Sequence, residues 1–275
     1  MSYKYTLSRL TALPLQPAEF VYVAAMCGYD YASLRPIRMG LAGEPIYTSA
    51  QKPLLFEQLK RAVADTGVSV YDIELARIFD GVDIAEYEAA MVIGKALGAK
   101  VVICSIWTDN KPYYTQKFAQ LCDLAAKHEL YVGLEFVTFA AVNNLNTTKE
   151  LIAEVNRSNA THMIDTLHFS RSRVDVSDLD DIPTSQFKLA HICDGPEKIP
   201  SIDDKDALIH TARGARYYVG EGGIDIAGII RKLPNDIVLG VELPHIERAA
   251  EYGYAEHARR CITTAKEYFA RHGIS

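Results

Sequence analysis

Tyr131-Val-Gly-Leu-Glu-Phe-Val137 is an apolar run with a single carboxylate at its centre. Its length and its polar borders predict a buried strand. Glu135 is out of place there, because an unpaired carboxylate in an apolar interior loses several kcal/mol of solvation, by rough estimate. Either a partner neutralises it or the strand opens to water at that point. The same anomaly recurs in His162-Met-Ile-Asp-Thr-Leu-His-Phe169, in Lys188-Leu-Ala-His-Ile-Cys-Asp194 and in Ile237-Val-Leu-Gly-Val-Glu-Leu-Pro244. Four successive apolar strands thus carry one potential metal ligand each, near the C-terminal end.

Upstream of this series the chain alternates in the same way. Strands are expected at Tyr5–Leu10, Tyr31–Arg35, within Val68–Ile78 and at Lys100–Trp107. Between them lie helical stretches. The first is opened by Pro17 and closed by Gly28, an asymmetry that helix ends favour. Pro53–Gly67 follows with apolar residues at 55, 56, 59, 62 and 63 on one face, then Ile84–Gly98 and Tyr113–His128. Downstream, Asn146 or Thr147 is expected to cap a helix over Lys149–Arg157. A poorer helical segment spans Val176–Ile182, Asp194–Gly223 reads as a long polar excursion, Asp225–Leu233 as a short helix, and Ala255–Arg271 as a closing amphipathic helix. Eight strands alternating with about eight helices is the pattern of a (β/α)8 TIM barrel, here one α/β domain over residues 1–275 with no linker or low-complexity tract. A doubly wound sheet would need fewer strands and a Gly-rich first turn, which Arg9-Leu-Thr-Ala-Leu13 is not.

The 275 residues suffice for one barrel-sized core. A net charge of −6 argues against a nucleic-acid surface, which needs a concentrated basic face. Five scattered cysteines without a CxxC pair are the usage of a reduced compartment. With no signal-like start and no apolar run able to span a bilayer, a cytoplasmic protein away from membranes is expected.

Strand alternation places Gly133, Glu135 and Val137 on one face, Gly240, Glu242 and Pro244 on another, and Leu189, His191 and Cys193 on a third. If these faces point inward, Glu135, Asp165, His191 and Glu242 converge at the C-terminal mouth of the barrel, where barrel enzymes keep their chemistry. Three carboxylates brought together repel one another, and a divalent cation removes that penalty. A mainly hard donor set suits Mn2+ or Mg2+, with Co2+ or Zn2+ as further options. His168 is three residues after Asp165 and joins the site only if the chain has left the strand or bulges there. Asp194, three after His191, poses the same question.

Gly133-Leu-Glu-Phe136, Asp165-Thr-Leu-His-Phe169, His191-Ile-Cys-Asp194, Gly220-Glu-Gly-Gly-Ile-Asp225 and Val241-Glu242 resemble, in order and spacing, the xylose-isomerase-like sugar phosphate isomerase/epimerase superfamily. The group includes ketose 3-epimerases, hydroxypyruvate isomerase, inosose isomerase and dehydratase, and bacterial 3-dehydroshikimate dehydratase. The resemblance covers strands five to eight well and the first half only in general pattern. It implies a single-metal site held by Glu135, Asp165, His191 and Glu242, proton transfer by Glu135 and Glu242, and contact of His168 with substrate oxygens. The epimerase group's Arg beyond the His-x-x-Asp element is absent here, and Arg213 or Arg216 serves instead. Val137 stands where the dehydroshikimate dehydratases often have a His, so the inosose isomerase type is closer.

These readings converge on a metal-dependent isomerase or epimerase of a polyol ketone, such as a sugar, sugar phosphate or inosose. A dehydratase using the same site is the alternative, and a non-catalytic barrel subunit a further one. An apurinic-site endonuclease would need His ligands from strands three and four, which offer Glu74, Ser105 and Trp107. Trp107 is placed to wall the pocket against a sugar's apolar face. Glu74 is expected to bind substrate or to pair with Arg77, and Arg35 to meet a carboxylate or phosphate or a surface partner. Tyr217-Tyr218 and the loop from Leu41 to Tyr47 are candidates for a lid or a dimer contact. By the resemblance, the protein forms a homodimer or homotetramer.

Overall fold

The chain was analysed as a computed structural model that describes residues 3–37, 39 and 53–274. Eight parallel strands close into a barrel in chain order: β1 (Lys4–Leu7), β2 (Tyr31–Leu34), β3 (Ser69–Ile78), β4 (Val101–Ile106), β5 (Tyr131–Glu135), β6 (Ala160–Asp165), β7 (Phe187–Ile192) and β8 (Val238–Val241). Closure is made by β1 against β8, with Thr6 opposite Gly240. Around it run α1 (Pro17–Cys27), α2 (Pro53–Thr66), α3 (Glu88–Ala96), α4 (Lys111–Lys127), α5 (Leu145–Val155), α6 (Thr166–Arg171), α7 (Lys205–Gly214), α8 (Ile226–Arg231), α9 (Ile246–Tyr252) and α10 (Tyr254–Arg271). The expected (β/α)8 architecture is therefore the observed one.

Local chemistry accounts for most element ends. Gln16 and Glu19 form a reciprocal capping box around Pro17, and Gly28 closes α1 at φ +80°, a conformation that only glycine adopts without strain. Several elements differ from expectation, and three of the differences have a clear local cause. Strand β1 stops at Leu7 because Arg9–Ala12 turns into a 3-10 helix. There the buried Arg9 guanidinium donates to the carbonyls of Ala12 and Leu15 and lies 4.7 Å over the Phe20 ring. Helix α5 starts earlier than expected, since Asn144, rather than Asn146 or Thr147, accepts from the Thr147 amide. Finally, the polar excursion after β7 contains α7, capped by Asp204 and anchored through Leu208 and Ala212.

The barrel interior is divided in two. Leu75, Val101, Ile103, Met163, Leu189 and Val238 form an apolar cluster separate from the core beneath the helices. Thr6, Ser8, Ser33, Asp72 and Glu74, from β1 to β3 and their ends, are equally buried but polar. Burial, with the neighbouring Glu74 adding to it, pushes the Asp72 carboxyl up to about 7, while Ser33 Oγ donates to it at 2.5 Å. A carboxyl raised in the fold lends stability below its unfolded pKa, and that contribution is lost as pH rises through the folded value, here between about 4 and 7. Asp72→Asn should therefore raise the Tm of chelator-treated protein at pH 8 by about 5 °C or more and change it little at pH 4. An equal gain at both pH values would rule this account out.

Candidate metal centre

Glu135 is the last residue of β5 and Asp165 the last of β6, His191 lies in β7, and Glu242 directly follows β8. All four are buried, and one donor atom from each lies within 4.8 Å of the others. The expected ligand set is thus brought together. Roughly twice a metal–oxygen bond length separates trans ligands around a small divalent cation, so this spacing is of the right size. Glycine makes the approach possible: a Cβ on Gly240 would lie 2.5 Å from His191 Cδ2 and 2.8 Å from Ser8 Oγ, and one on Gly133 3.2 Å from Met163 and Val101.

Arg216 is built into the same cluster. Its guanidinium contacts Asp165 Oδ2 at 2.7 Å and Glu242 Oε2 at 2.8 Å, and is itself buried. It belongs with the ligands, touching the carboxylates directly, whereas it was expected only as a substrate contact. Burial works to raise the Glu242 carboxyl, but His191 and Arg216 outweigh it and hold the group well below the usual carboxylate range. Glu135 is the reverse case. Burial and then the charges of Glu242 and Asp165 push it well above that range, and among the described residues it has no hydrogen bond or ion pair. Burial alone would depress His191, yet Glu242, with Glu135 and Asp165 behind it, pushes it up to about 10. Its Nδ1 stands 3.4 Å from Glu242 Oε2 and 4.0 Å from Asp165 Oδ2, and neither ring nitrogen meets a partner in hydrogen-bonding geometry. An imidazole with two orphaned nitrogens beside an unpaired buried carboxylate fits a divalent cation. Oxygen and imidazole donors together admit Mn2+, Mg2+, Co2+ or Zn2+.

His168 reaches the site because the strand ends at Asp165. That residue caps α6, its Oδ1 accepting from the amides of Leu167 and His168, so the chain turns and His168 lines the cavity. Its Nδ1 accepts from the Thr138 amide at 3.4 Å, which leaves Nε2 as the N–H donor. Burial lowers its pKa to about 4, so the ring is neutral. Trp107, held by a 2.8 Å bond to Ser105 Oγ, faces Phe139 at 6.0 Å, and Phe139 meets His168 edge-on at 5.7 Å. These three aromatic groups wall an open cavity that also takes in Glu135, His191 and Glu242.

Other candidates have different tasks. Glu74 lines the cavity but pairs with Arg35 at 2.5 Å, and its second oxygen accepts from Ser33 Oγ and the Arg9 amide. The expected Arg77 pairing is not formed, because Arg35 from the neighbouring strand end is the closer cation. Asp194 does not join the ligands. It accepts from the amides of Gly195, Gly220, Gly222 and Ile224, tying the two ends of the excursion together. Tyr218 is buried against His257 at 3.0 Å, so it is core rather than lid or dimer contact. The loop from Leu41 to Tyr47 lies outside the described residues. Phe139 was not anticipated, since it sits in an irregular loop with no periodic signal. Asp165-Thr-Leu-His168, by contrast, could have been read as a helix cap.

With the geometry in hand, the chain can be compared with known proteins. The sequence signature of the xylose isomerase-like TIM barrel matches residues 21–265. The chain belongs to that family. Among its relatives is an inosose isomerase of Bacillus licheniformis, 27% identical over 199 residues. The match spans 67% of this chain and 66% of the relative, just under two thirds of its length. A crystal structure of the IolI protein with a bound zinc atom superposes with a TM-score of 0.81 at 19% identity, covering 98% of each chain. A D-allulose 3-epimerase from Methylomonas in complex with D-allulose gives a TM-score of 0.69 at 15% identity, covering 97% of each. At such identities the structural likeness shows the fold. Among the described residues no helix is long and apolar enough to cross a membrane.

Proposed function

We propose that this family member is a divalent-metal-dependent isomerase or epimerase of a polyol ketone, with Mn2+ or Mg2+ as its preferred ion. The observation that carries the reading is the buried cluster of Glu135, Asp165, His191 and Glu242 on four successive strands, opening into an aromatic-walled cavity. The inosose isomerase relative and the D-allulose epimerase fold neighbour support the same class of substrate. A cation held there supplies Lewis-acid polarisation of a carbonyl and electrostatic stabilisation of negative charge on oxygen. The side chains supply the rest. Glu135 and Glu242 extend from β5 and β8 into one cavity, so each can meet the substrate carbon from its own side. One takes the proton from the carbon next to the carbonyl, and the other returns a proton to the resulting enediolate. His168 donates its Nε2 hydrogen to a substrate oxygen, and Trp107 and Phe139 cover the apolar face of the carbon chain.

The test is deuterium exchange. Mn2+-loaded protein is incubated in D2O with a panel of ketoses and inososes, and deuterium at the carbon next to the carbonyl is followed by NMR. Time-dependent incorporation with appearance of an isomer or epimer is expected. Loss of water from the substrate would instead make the site a dehydratase, and no exchange across the panel would sink the proposal.

A further inference from the structure

With a divalent cation in the ligand cluster, the described carboxylates around the cavity would be balanced without Arg213. Glu74, Glu135, Asp165 and Glu242 are four carboxylates, and Arg35, Arg216 and one divalent cation would balance them. Arg35 is committed to Glu74, and Arg216 to Asp165 and Glu242. Arg213, on α7, lines the same cavity and is left over. Among the described residues it forms no ion pair, and its guanidinium lies 5.9 Å over the Phe139 ring in the aromatic wall. Arg77, near the C-terminal end of β3, likewise has an aromatic face, that of Phe79 at 5.9 Å, and no carboxylate within ion-pair distance among the described residues.

Besides partial burial, the charges of Arg77 and Arg35 lower the Arg213 pKa. Like charges repel one another, and among the described residues no carboxylate pairs with either Arg213 or Arg77. Shortage of acids is not the reason, since the chain has 35 acidic and 29 basic residues. A guanidinium beside an aromatic ring, with its donors uncommitted, is suited to bidentate recognition of a planar or tetrahedral anion.

We infer that Arg213, with the charge of Arg77 adding to its field, binds an anionic group of the substrate, a carboxylate or a phosphate ester, at the end remote from the reacting carbons. The inference rests on reading the ligand cluster as a polyol-ketone site, and it narrows that class to acidic or phosphorylated ketoses. The aromatic wall sets the span: the substrate backbone lies along Phe139 from the metal ligands toward Arg213.

Isothermal titration of the Mn2+-loaded full-length protein tests this with two matched pairs. D-fructose is compared with D-fructose 6-phosphate, and L-sorbose with 5-keto-D-gluconate, which carries a carboxylate at the end distant from its ketone. One anionic member should bind at least about tenfold more tightly than its neutral counterpart, and the pair that shows this identifies phosphate or carboxylate. Arg213→Gln should abolish the advantage while moving the neutral Kd less than about twofold, and Arg77→Gln should reduce it. Equal affinities within both pairs, no binding of either anion, or an undiminished advantage in Arg213→Gln (attraction to the cation alone) would each overturn the inference. Turnover is read separately by deuterium exchange. An Arg213-dependent affinity ratio without exchange would count against the catalytic reading and leave the anion site standing.

Discussion

Glu135→Gln and Glu242→Gln should each lower kcat by about a thousandfold or more. Positioned proton transfer contributes roughly 10² to 10⁴ in rate, and a ligand that also carries the proton is lost in both tasks at once. Glutamine keeps the length and one carbonyl oxygen of glutamate, so cation content measured beside kcat separates the tasks. A variant that retains its ion yet fails to turn over has lost the proton carrier. The two variants should also differ in exchange. From a given epimer, the variant that keeps the abstracting carboxylate still incorporates deuterium without interconverting, while the other does neither. Starting from the opposite epimer, the roles reverse. Either variant holding a tenth of normal kcat would exclude this division of labour.

The second large effect concerns stability. Among the described residues, Arg216 is the one arginine that pairs with two carboxylates of the cluster, Asp165 and Glu242. Replacing it by methionine removes the charge with modest change in volume and leaves the carboxylates beside His191 alone. Breaking a buried ion pair from one side costs about 3–5 kcal/mol, because the remaining charge is stranded. For a chain of this size, chelator-treated Arg216→Met should melt roughly 5–15 °C below the chelator-treated parent. Binding of Mn2+ neutralises the same carboxylates, so the rise in Tm on adding the ion should be larger in the variant than in the parent. A chelated Tm within about 2 °C of the parent would show that Arg216 is not the internal counter-ion.

How much of this was legible in the chain depended on how regular the local backbone is. The four cluster residues sit in strands or directly after one, where the period is two, so one carboxylate or imidazole in each apolar run announced both its burial and its face. Gly133 and Gly240, each two before a glutamate, carried the matching signal of space, and the close approach of His191 to Gly240 bears that out. His168 defeated the strand rule because Asp165 ends the strand and caps a helix in the same step. The partner of Glu74 was missed since it depends on which of two arginines, on different strands, comes nearer. Arg216 and Phe139 arrive on irregular segments whose course is set by tertiary contacts, and Arg213 on α7, a helix inside an excursion whose path over the barrel no local pattern encodes.

Asp194, with its four accepted amide hydrogens, has an evolutionary corollary. Both ends of the excursion are fastened to one carboxylate on the scaffold. The chain entropy of such a closed segment grows only with the logarithm of its length, about 0.6 kcal/mol per doubling. Apart from Arg216, which pairs with Asp165 and Glu242, and the buried Tyr218, residues between the two fastenings can therefore be lengthened, shortened or exchanged at little thermodynamic cost to β7 and β8. Helix α7 and Arg213 ride on that segment, while Glu135, Asp165, His191 and Glu242 do not. The barrel is in this sense modular: the candidate metal cluster is set by the strand ends, and Arg213 is carried on a segment that can vary between its fastenings.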